Sequence, residues 1–107
     1  MLIPILKESI PYSTDITIAG ITYQFEFKYN SYDERVYIDL YDIDGNLLYP
    51  NEPILFGIPL WFNKLIDEKG NFNKKFPQKY IIPNTKDRTI EKITFNNIDK
   101  VELVVKE

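Results

Sequence analysis

The sequence predicts an all-β protein: a single small antiparallel β-sandwich, or a partly closed β-barrel, of about seven short strands. The main observation is strict alternation of apolar and polar side chains over residues 21–29, ITYQFEFKY, which is typical of a strand with one buried and one solvent-facing side. The alternation returns over residues 36–41, and the turn motif DIDG follows at residues 42–45. An aromatic content of 15%, mostly Tyr and Phe, also favours strands over helices.

The other elements follow from apolar runs bounded by turn signals. Gly20 predicts a tight turn between the first two strands of the meander, and Gly57 with Pro59 marks the end of another strand. Residues 60–65, LWFNKL, are compatible with one helical turn or with a strand, and the polar residues 67–79 are predicted to form a loop. The predicted strands are residues 15–19, 21–29, 35–41, 46–49, 54–56, 80–82 and 100–106.

The chain length of 107 residues indicates one β domain over residues 15–107, preceded by an extended N-terminal arm over residues 1–14. Pro4 and Pro11 disfavour a helix in the arm. Its apolar side chains require cover, and two arrangements remain open. The arm folds back as an edge strand of the same domain, or it docks on a neighbouring subunit. The side chains concerned are Leu2, Ile3, Ile5 and Leu6.

Composition argues against several classes of function. The chain has no cysteine and no histidine, so it lacks the thiol nucleophile, the commonest general base and the usual transition-metal ligands. We therefore expect no enzyme activity, no cofactor and no metal. The net charge of −3 argues against nucleic-acid binding, and no apolar run has the length of a membrane span. The apolar start is interrupted by Pro4 and has no basic residue before it, so it is a poor signal peptide.

Carboxylates cluster around the predicted turn. The segment from Asp42 to Asn46 is similar to the start of a calcium loop, but glycine stands at its fourth position and Pro53 at its twelfth, so a hairpin turn is favoured. A glycosidase would need two acids held across a cleft, and nothing in the sequence places two of them so. We expect solvated turns and strand faces for the group, which comprises Asp33, Glu34, Asp39, Asp42 and Asp44.

Aromatic residues supply the remaining candidates. Tyr37, Tyr41 and Tyr49 are predicted to share an exposed sheet face, where they would form a protein interface or stack a sugar. Trp61 is predicted to lie in the core or in an interface. Cations and aromatics interleave in the loop, which is typical of single-strand nucleic-acid binding or of a long loop with a few anchors, and the acidic total favours the loop. These residues are Phe72, Lys74, Lys75, Phe76, Lys79 and Tyr80.

The order of several short motifs is more specific than any one of them. Residues 29–30 read YN at the end of a predicted strand, residues 37–42 read YIDLYD, and residues 44–45 form the Asp-Gly turn. GIPL follows at residues 57–60, and an apolar strand closes the chain. With its apolar start and early proline, this arrangement resembles the small baseplate plug proteins of contractile-tailed phages, of the cyanophage type, over nearly the whole chain.

The resemblance implies a structural, non-catalytic protein of a phage or prophage tail. Such a protein would sit at the central hub of the baseplate near the end of the tail tube and would contact hub, tail-tube or tape-measure proteins within a multi-subunit assembly. It would be made in the bacterial host cytoplasm and end in the virion. The alternative function is a carbohydrate- or peptide-binding β-module. The residues expected at the interface are Leu2, Ile3, Ile5, Leu6 and Trp61.

Overall fold

A computed structural model describes residues 1–106 and shows seven strands within them, in two antiparallel sheets. The four-stranded sheet has the order β2-β3-β4-β5 and the three-stranded sheet the order β1-β7-β6, and the sheets do not close into a barrel. The predicted sandwich class is therefore confirmed. The strands are β1 Leu2–Pro4, β2 Tyr12–Ile18, β3 Ile21–Asn30, β4 Arg35–Asp42, β5 Leu47–Pro53, β6 Ile81–Thr85 and β7 Val101–Val105.

Two 3₁₀ helices, at Lys7–Ser9 and Phe95–Lys100, complete the regular structure of residues 1–106. Neither has the length that a membrane crossing requires. In the second, the side-chain oxygen of Asn97 accepts the backbone N–H of Thr94 at 2.9 Å. This capping contact marks the start of the helix, because it satisfies an amide that the short helix leaves unpaired.

The central hairpin forms as the alternation predicts. Phe25 pairs with Leu40 and Phe27 with Ile38, and all four side chains are fully buried on the inner face of the sheet. Gly45 adopts a positive φ of 86°, which costs a residue without a Cβ little. Residues 42–46 are thus a hairpin turn, as expected.

The amides of that turn are held by one carboxylate. The side chain of Asp42 accepts the backbone N–H groups of Asp44, at 3.0 Å, and of Asn46, at 2.8 Å. The side-chain amide of Asn46 also donates to it, at 2.9 Å, and together these hydrogen bonds lower the pKa of Asp42. The carboxylate at the head of the calcium-like motif is therefore engaged by its own loop.

The N-terminal residues fold back onto the same domain. β1 pairs antiparallel with β7, with Ile3 opposite Leu103, and both Ile3 and Ile5 are buried in the core. This is the first of the two arrangements that the sequence left open. β2 begins at Tyr12, earlier than the predicted strand at residue 15, and the ring of Tyr12 stacks on Phe27 at 4.9 Å between centroids.

The chain crosses between the sheets after β5, where one predicted strand is absent and residues 60–65 adopt the helical-turn alternative and not the strand. Residues 54–56 are not a strand: β5 ends at Pro53, Ile54 is buried and Phe56 is exposed. Residues 60–65 form a hydrogen-bonded turn, in which the carbonyl of Trp61 accepts the backbone N–H of Leu65 at 3.0 Å. The turn places Trp61 between the sheets, where its ring meets Phe25 edge-on at 5.4 Å.

The loop after β6 contains a carboxylate whose charged form is favoured by three contacts. Asp87 accepts the Thr89 hydroxyl at 2.6 Å, the Thr89 backbone N–H at 2.9 Å and the Lys100 ammonium at 3.3 Å. The Thr89 hydroxyl makes the largest contribution, and together these contacts lower the pKa of Asp87 to about 2 from the ordinary 3.8. Since the folded pKa is the lower one, this stabilisation is present above pH 3.8 and is lost as the pH falls through about 2.

We therefore expect the stability difference between wild type and Asp87→Asn to be largest above about pH 4 and to shrink towards pH 2. Urea denaturation followed by circular dichroism at several pH values between these limits measures it. Asp44→Asn, at an exposed position in the turn between β4 and β5, is the matched control. A difference that stays constant across this range would show that the Asp87 charge has no part in stability.

Candidate interaction surfaces

The residues predicted for an interface separate into an exposed pair and a buried set. Leu2 and Leu6 are each 54% exposed, whereas Ile3, Ile5 and Trp61 lie in the hydrophobic core. Leu2 and Ile3 differ because they are neighbours in β1, and neighbouring residues of a strand point to opposite sides. In the isolated chain, only Leu2 and Leu6 of this set offer substantial apolar area to a neighbouring molecule.

Leu2 and Leu6 line a hollow of about 430 Å³ between β1 and β2, here called the N-terminal groove. The groove lies between the edge strands of the two sheets, at one open side of the sandwich. The Tyr12 hydroxyl accepts the backbone N–H of Leu6 at 3.0 Å, which holds the chain after β1 against β2. Burial raises the pKa of the Tyr12 hydroxyl above its ordinary value of 10.0. The β2 side of the groove is formed by Tyr12, Thr14, Asp15 and Ile16.

Asp39, expected to be solvated on the outer face of the sheet, is buried there instead and is only 7% exposed. Its carboxylate accepts the backbone N–H of Asn51 at 2.7 Å and pairs with the Lys28 ammonium at 2.9 Å. Lys28 also donates to the side-chain oxygen of Asn51 at 2.8 Å. Lys28, Asp39 and Asn51 are thus joined by two side-chain contacts and one backbone N–H, and the arrangement holds β3, β4 and β5 together.

The remaining acids of the region lie in turns or, for Asp42, at the end of a strand. Asp33 accepts the backbone N–H of Arg35 at 3.0 Å and the hydroxyl of Tyr37, and the Tyr37 hydrogen bond is the main cause of its lowered pKa. Within residues 1–106, no three carboxylates approach closely enough to hold a metal ion. The acidic group therefore consists of separate local contacts.

The three tyrosines that were predicted to share an exposed sheet face, Tyr37, Tyr41 and Tyr49, do not share one. Tyr37 and Tyr41 lie on the outer face, where the Tyr41 hydroxyl donates to Glu26 at 3.3 Å. Tyr49 pairs with the buried Leu40 and packs on Phe76, 6.1 Å between ring centroids, so it faces the core. The pairing of β4 with β5 is irregular around Leu40, and one shift of register moves a side chain to the other face.

A surface hollow that sequence reasoning missed lies beside the β3–β4 hairpin. It measures about 610 Å³, and its lining includes Tyr29, Tyr37 and Asn51 together with Tyr32, whose side chain is 98% exposed. An aromatic residue inside the polar turn NSYDE was the available signal for it. Exposed rings on a β domain are a common feature of contact surfaces.

The loop of interleaved cations and aromatics is anchored by its rings. Phe76 is buried and lies 6.4 Å from Trp61, while Phe72 packs against Tyr80 at 5.7 Å between centroids. These aromatics hold the loop to the domain and do not form a row of exposed stacking surfaces. The interpretation as an anchored loop fits this geometry better than a surface for single-stranded nucleic acid.

The described part of the chain is thus a small β-sandwich whose distinctive surface features are strand edges, exposed apolar side chains and shallow hollows. Such features are common at the contact surfaces of domains that bind other macromolecules. The family model described as "Cyanophage baseplate Pam3 plug gp18" matches residues 1–106, and the chain belongs to this family. Comparison with individually curated proteins gives no match.

Membership confirms the resemblance that the motif order indicated. The chain is a structural protein of a phage-type tail baseplate, a component of the virion tail that assembles with other tail and baseplate proteins.

Proposed function

We propose that the chain is a non-catalytic plug at the central hub of a contractile-tail baseplate in a phage or prophage, near the end of the tail tube. There it helps to close the channel until contraction. The observation that carries the proposal is the family match, which spans residues 1–106 and is not confined to a single motif. The proposed neighbours are hub, tail-tube and tape-measure proteins, and the chain is made in the bacterial host cytoplasm before it enters the particle.

The proposed contact surface is the exposed part of the N-terminal region. Leu2 and Leu6 keep about half of their area in solvent, although Ile3 and Ile5 between them are buried in the core. Complete burial of a fully exposed leucine contributes about 1.5–3 kcal/mol, so covering the exposed half of each side chain contributes about half of that. Leu2 and Leu6, which line an open groove, are therefore the proposed anchor for a neighbouring protein.

The test is a pull-down of the tagged chain from cells that express the surrounding gene cluster. Deletion of residues 1–11 would remove β1 and the buried Ile3 and Ile5, so loss of binding could reflect unfolding. A double variant, Leu2→Ser with Leu6→Ser, changes exposed side chains only. We expect wild type to retain hub or tail-tube proteins. The double variant should retain at most about a tenth of that amount of the same proteins.

The matched control is Ile43→Ser with Leu47→Ser, since both side chains are similarly exposed but belong to the β4–β5 hairpin. Capture of no tail protein by wild type would contradict the baseplate function itself. If the N-terminal double variant and the control double variant capture tail proteins equally well, the baseplate function still stands. The exposed leucines are then not part of the contact surface.

A further inference from the structure

We propose that the outer edge of β2 accepts an extended segment of a partner protein as a fifth strand of the four-stranded sheet. Alternate apolar side chains of that segment enter the N-terminal groove, and a lysine or arginine lies opposite Asp15. The inference rests on the proposed function, because it states how a tail protein is held.

The strand edges of the sandwich are not equivalent. Within residues 1–106 the two sheets have four outer edges, formed by β1, β2, β5 and β6. Proline has no N–H to donate to a ladder, so it blunts an edge. β1 has three residues and ends at Pro4, β5 contains Pro50 and Pro53, and β6 has Pro83 at its centre. β2 has seven residues and no proline.

β2 is therefore the edge best able to add a strand. In an antiparallel pair, every other residue directs its N–H and C=O groups away from the neighbouring strand. β3 occupies one side of β2 over its whole length, from Tyr12 to Ile18. On its other side, no strand of the described residues pairs with it. Alternate backbone groups along the seven residues remain available for main-chain hydrogen bonds.

The groove defines where the side chains of an added strand would go. Tyr12, Thr14 and Ile16 point to the inner face and are only half-buried, because β2 is the last strand of its sheet. Leu2 and Leu6 form the facing wall across the groove. Side chains of a strand that share a face are about 7 Å apart, so two or three from a partner would enter the groove and cover these residues. A partner segment with apolar residues at alternate positions fits this shape.

The charge of the edge favours a basic partner over a second copy of this chain. Asp15 is the central residue of β2, is exposed and makes no ion pair within residues 1–106. A symmetric antiparallel pair of β2 strands that aligns all seven residues would place Asp15 opposite the same aspartate of the other copy, and like charges directly opposed are destabilising. Glu26 lies on the same outer face one strand inward, opposite Ser13, and adds negative charge. A lysine or arginine of the partner opposite Asp15 would replace this like-charge repulsion by an attraction between opposite charges.

A defined peptide tests the edge without any tail protein. The probe is a capped peptide of about ten residues in which valine alternates with threonine and one central position is lysine. The control peptide has the same sequence with glutamate at the central position. We expect addition of the lysine peptide to slow amide hydrogen exchange over Tyr12–Ile18, and the lysine peptide to bind about threefold to tenfold more tightly than the glutamate peptide.

Asp15→Lys should reverse that preference, whereas Glu91→Lys, at an exposed position in the loop after β6, should leave it unchanged. A role of Asp15 in folding alone would not exchange one peptide preference for the other. Protection that appears elsewhere in the chain, absence of binding by either peptide, or a preference that Asp15→Lys leaves unchanged would each overturn the proposal.

The pull-down of tail proteins separates this proposal from the function on which it rests. Asp15→Lys should capture several-fold less of the tail proteins than wild type or Glu91→Lys. Equal capture by all three chains would overturn the edge contact and leave the baseplate function standing. If wild type captures none, the baseplate function fails and the edge contact fails with it.

Discussion

Replacement of Trp61 by alanine is expected to lower the free energy of unfolding by about 3–5 kcal/mol. The indole is 2% exposed and packs between Phe25, at 5.4 Å, and Phe76, at 6.4 Å between ring centroids. Alanine removes this apolar contact area and leaves a cavity that two aromatic neighbours cannot easily fill. A domain of this size is typically stable by about 5–15 kcal/mol, so the variant would lose a large share of its stability.

The whole cost of that substitution comes from packing. The indole N–H is buried and has no hydrogen-bond acceptor among residues 1–106, so alanine removes no hydrogen bond. Trp61→Phe, which keeps an aromatic ring and removes the unpartnered N–H, should therefore cost clearly less than alanine. Urea denaturation followed by far-ultraviolet circular dichroism is the measurement, because Trp61 is the single tryptophan and its fluorescence is lost in both variants.

Phe62→Ala is the matched control for Trp61→Ala. The two positions are adjacent, but the Phe62 side chain is 58% exposed, and its loss should change the stability by no more than about 0.5 kcal/mol. A small effect at Trp61 combined with loss of partner capture would contradict the core role and would make Trp61 an interface residue.

Replacement of Asp39 by alanine is expected to cost about 1–3 kcal/mol. Between the pairs Ile38 with Glu52 and Leu40 with Tyr49, the β5 strand carries one more residue than β4, so the ladder is interrupted opposite Asp39. The Asp39 carboxylate accepts the backbone N–H of Asn51, which has a positive φ of 56° in this bulge. Alanine leaves that N–H without an acceptor.

Lys28 limits the loss, since its side chain is partly exposed and recovers hydration when its partner is removed. Asp39→Asn tests the cause: it keeps an oxygen for the Asn51 N–H and loses the charge, so it should cost less than alanine. Chemical denaturation of both variants is compared with Asp44→Ala, an exposed aspartate in the adjacent turn. Equal costs for asparagine and alanine would show that the ion pair, and not the bulge amide, carries the contribution.

The predicted elements that the structure confirms share a local cause. β3 and β4 follow from side-chain alternation at a period of two residues, and the turn at residues 42–45 follows from Gly45 and the hydrogen-bonding capacity of Asp42. Such patterns depend only on near neighbours along the chain, so they are readable in one sequence. The order of these motifs also identified the family, which the match over residues 1–106 confirms.

The features that only the tertiary structure decided depend on contacts distant in sequence. The pairing of β1 with β7 joins the two ends of the chain and separates the buried Ile3 from the exposed Leu2. The bulge between β4 and β5 turned Tyr49 inward, and the turn at residues 60–65 buried Trp61 against Phe25 of the four-stranded sheet. An apolar residue in a short run has no local signal for the surface it will meet, because that choice is made by packing between the two sheets.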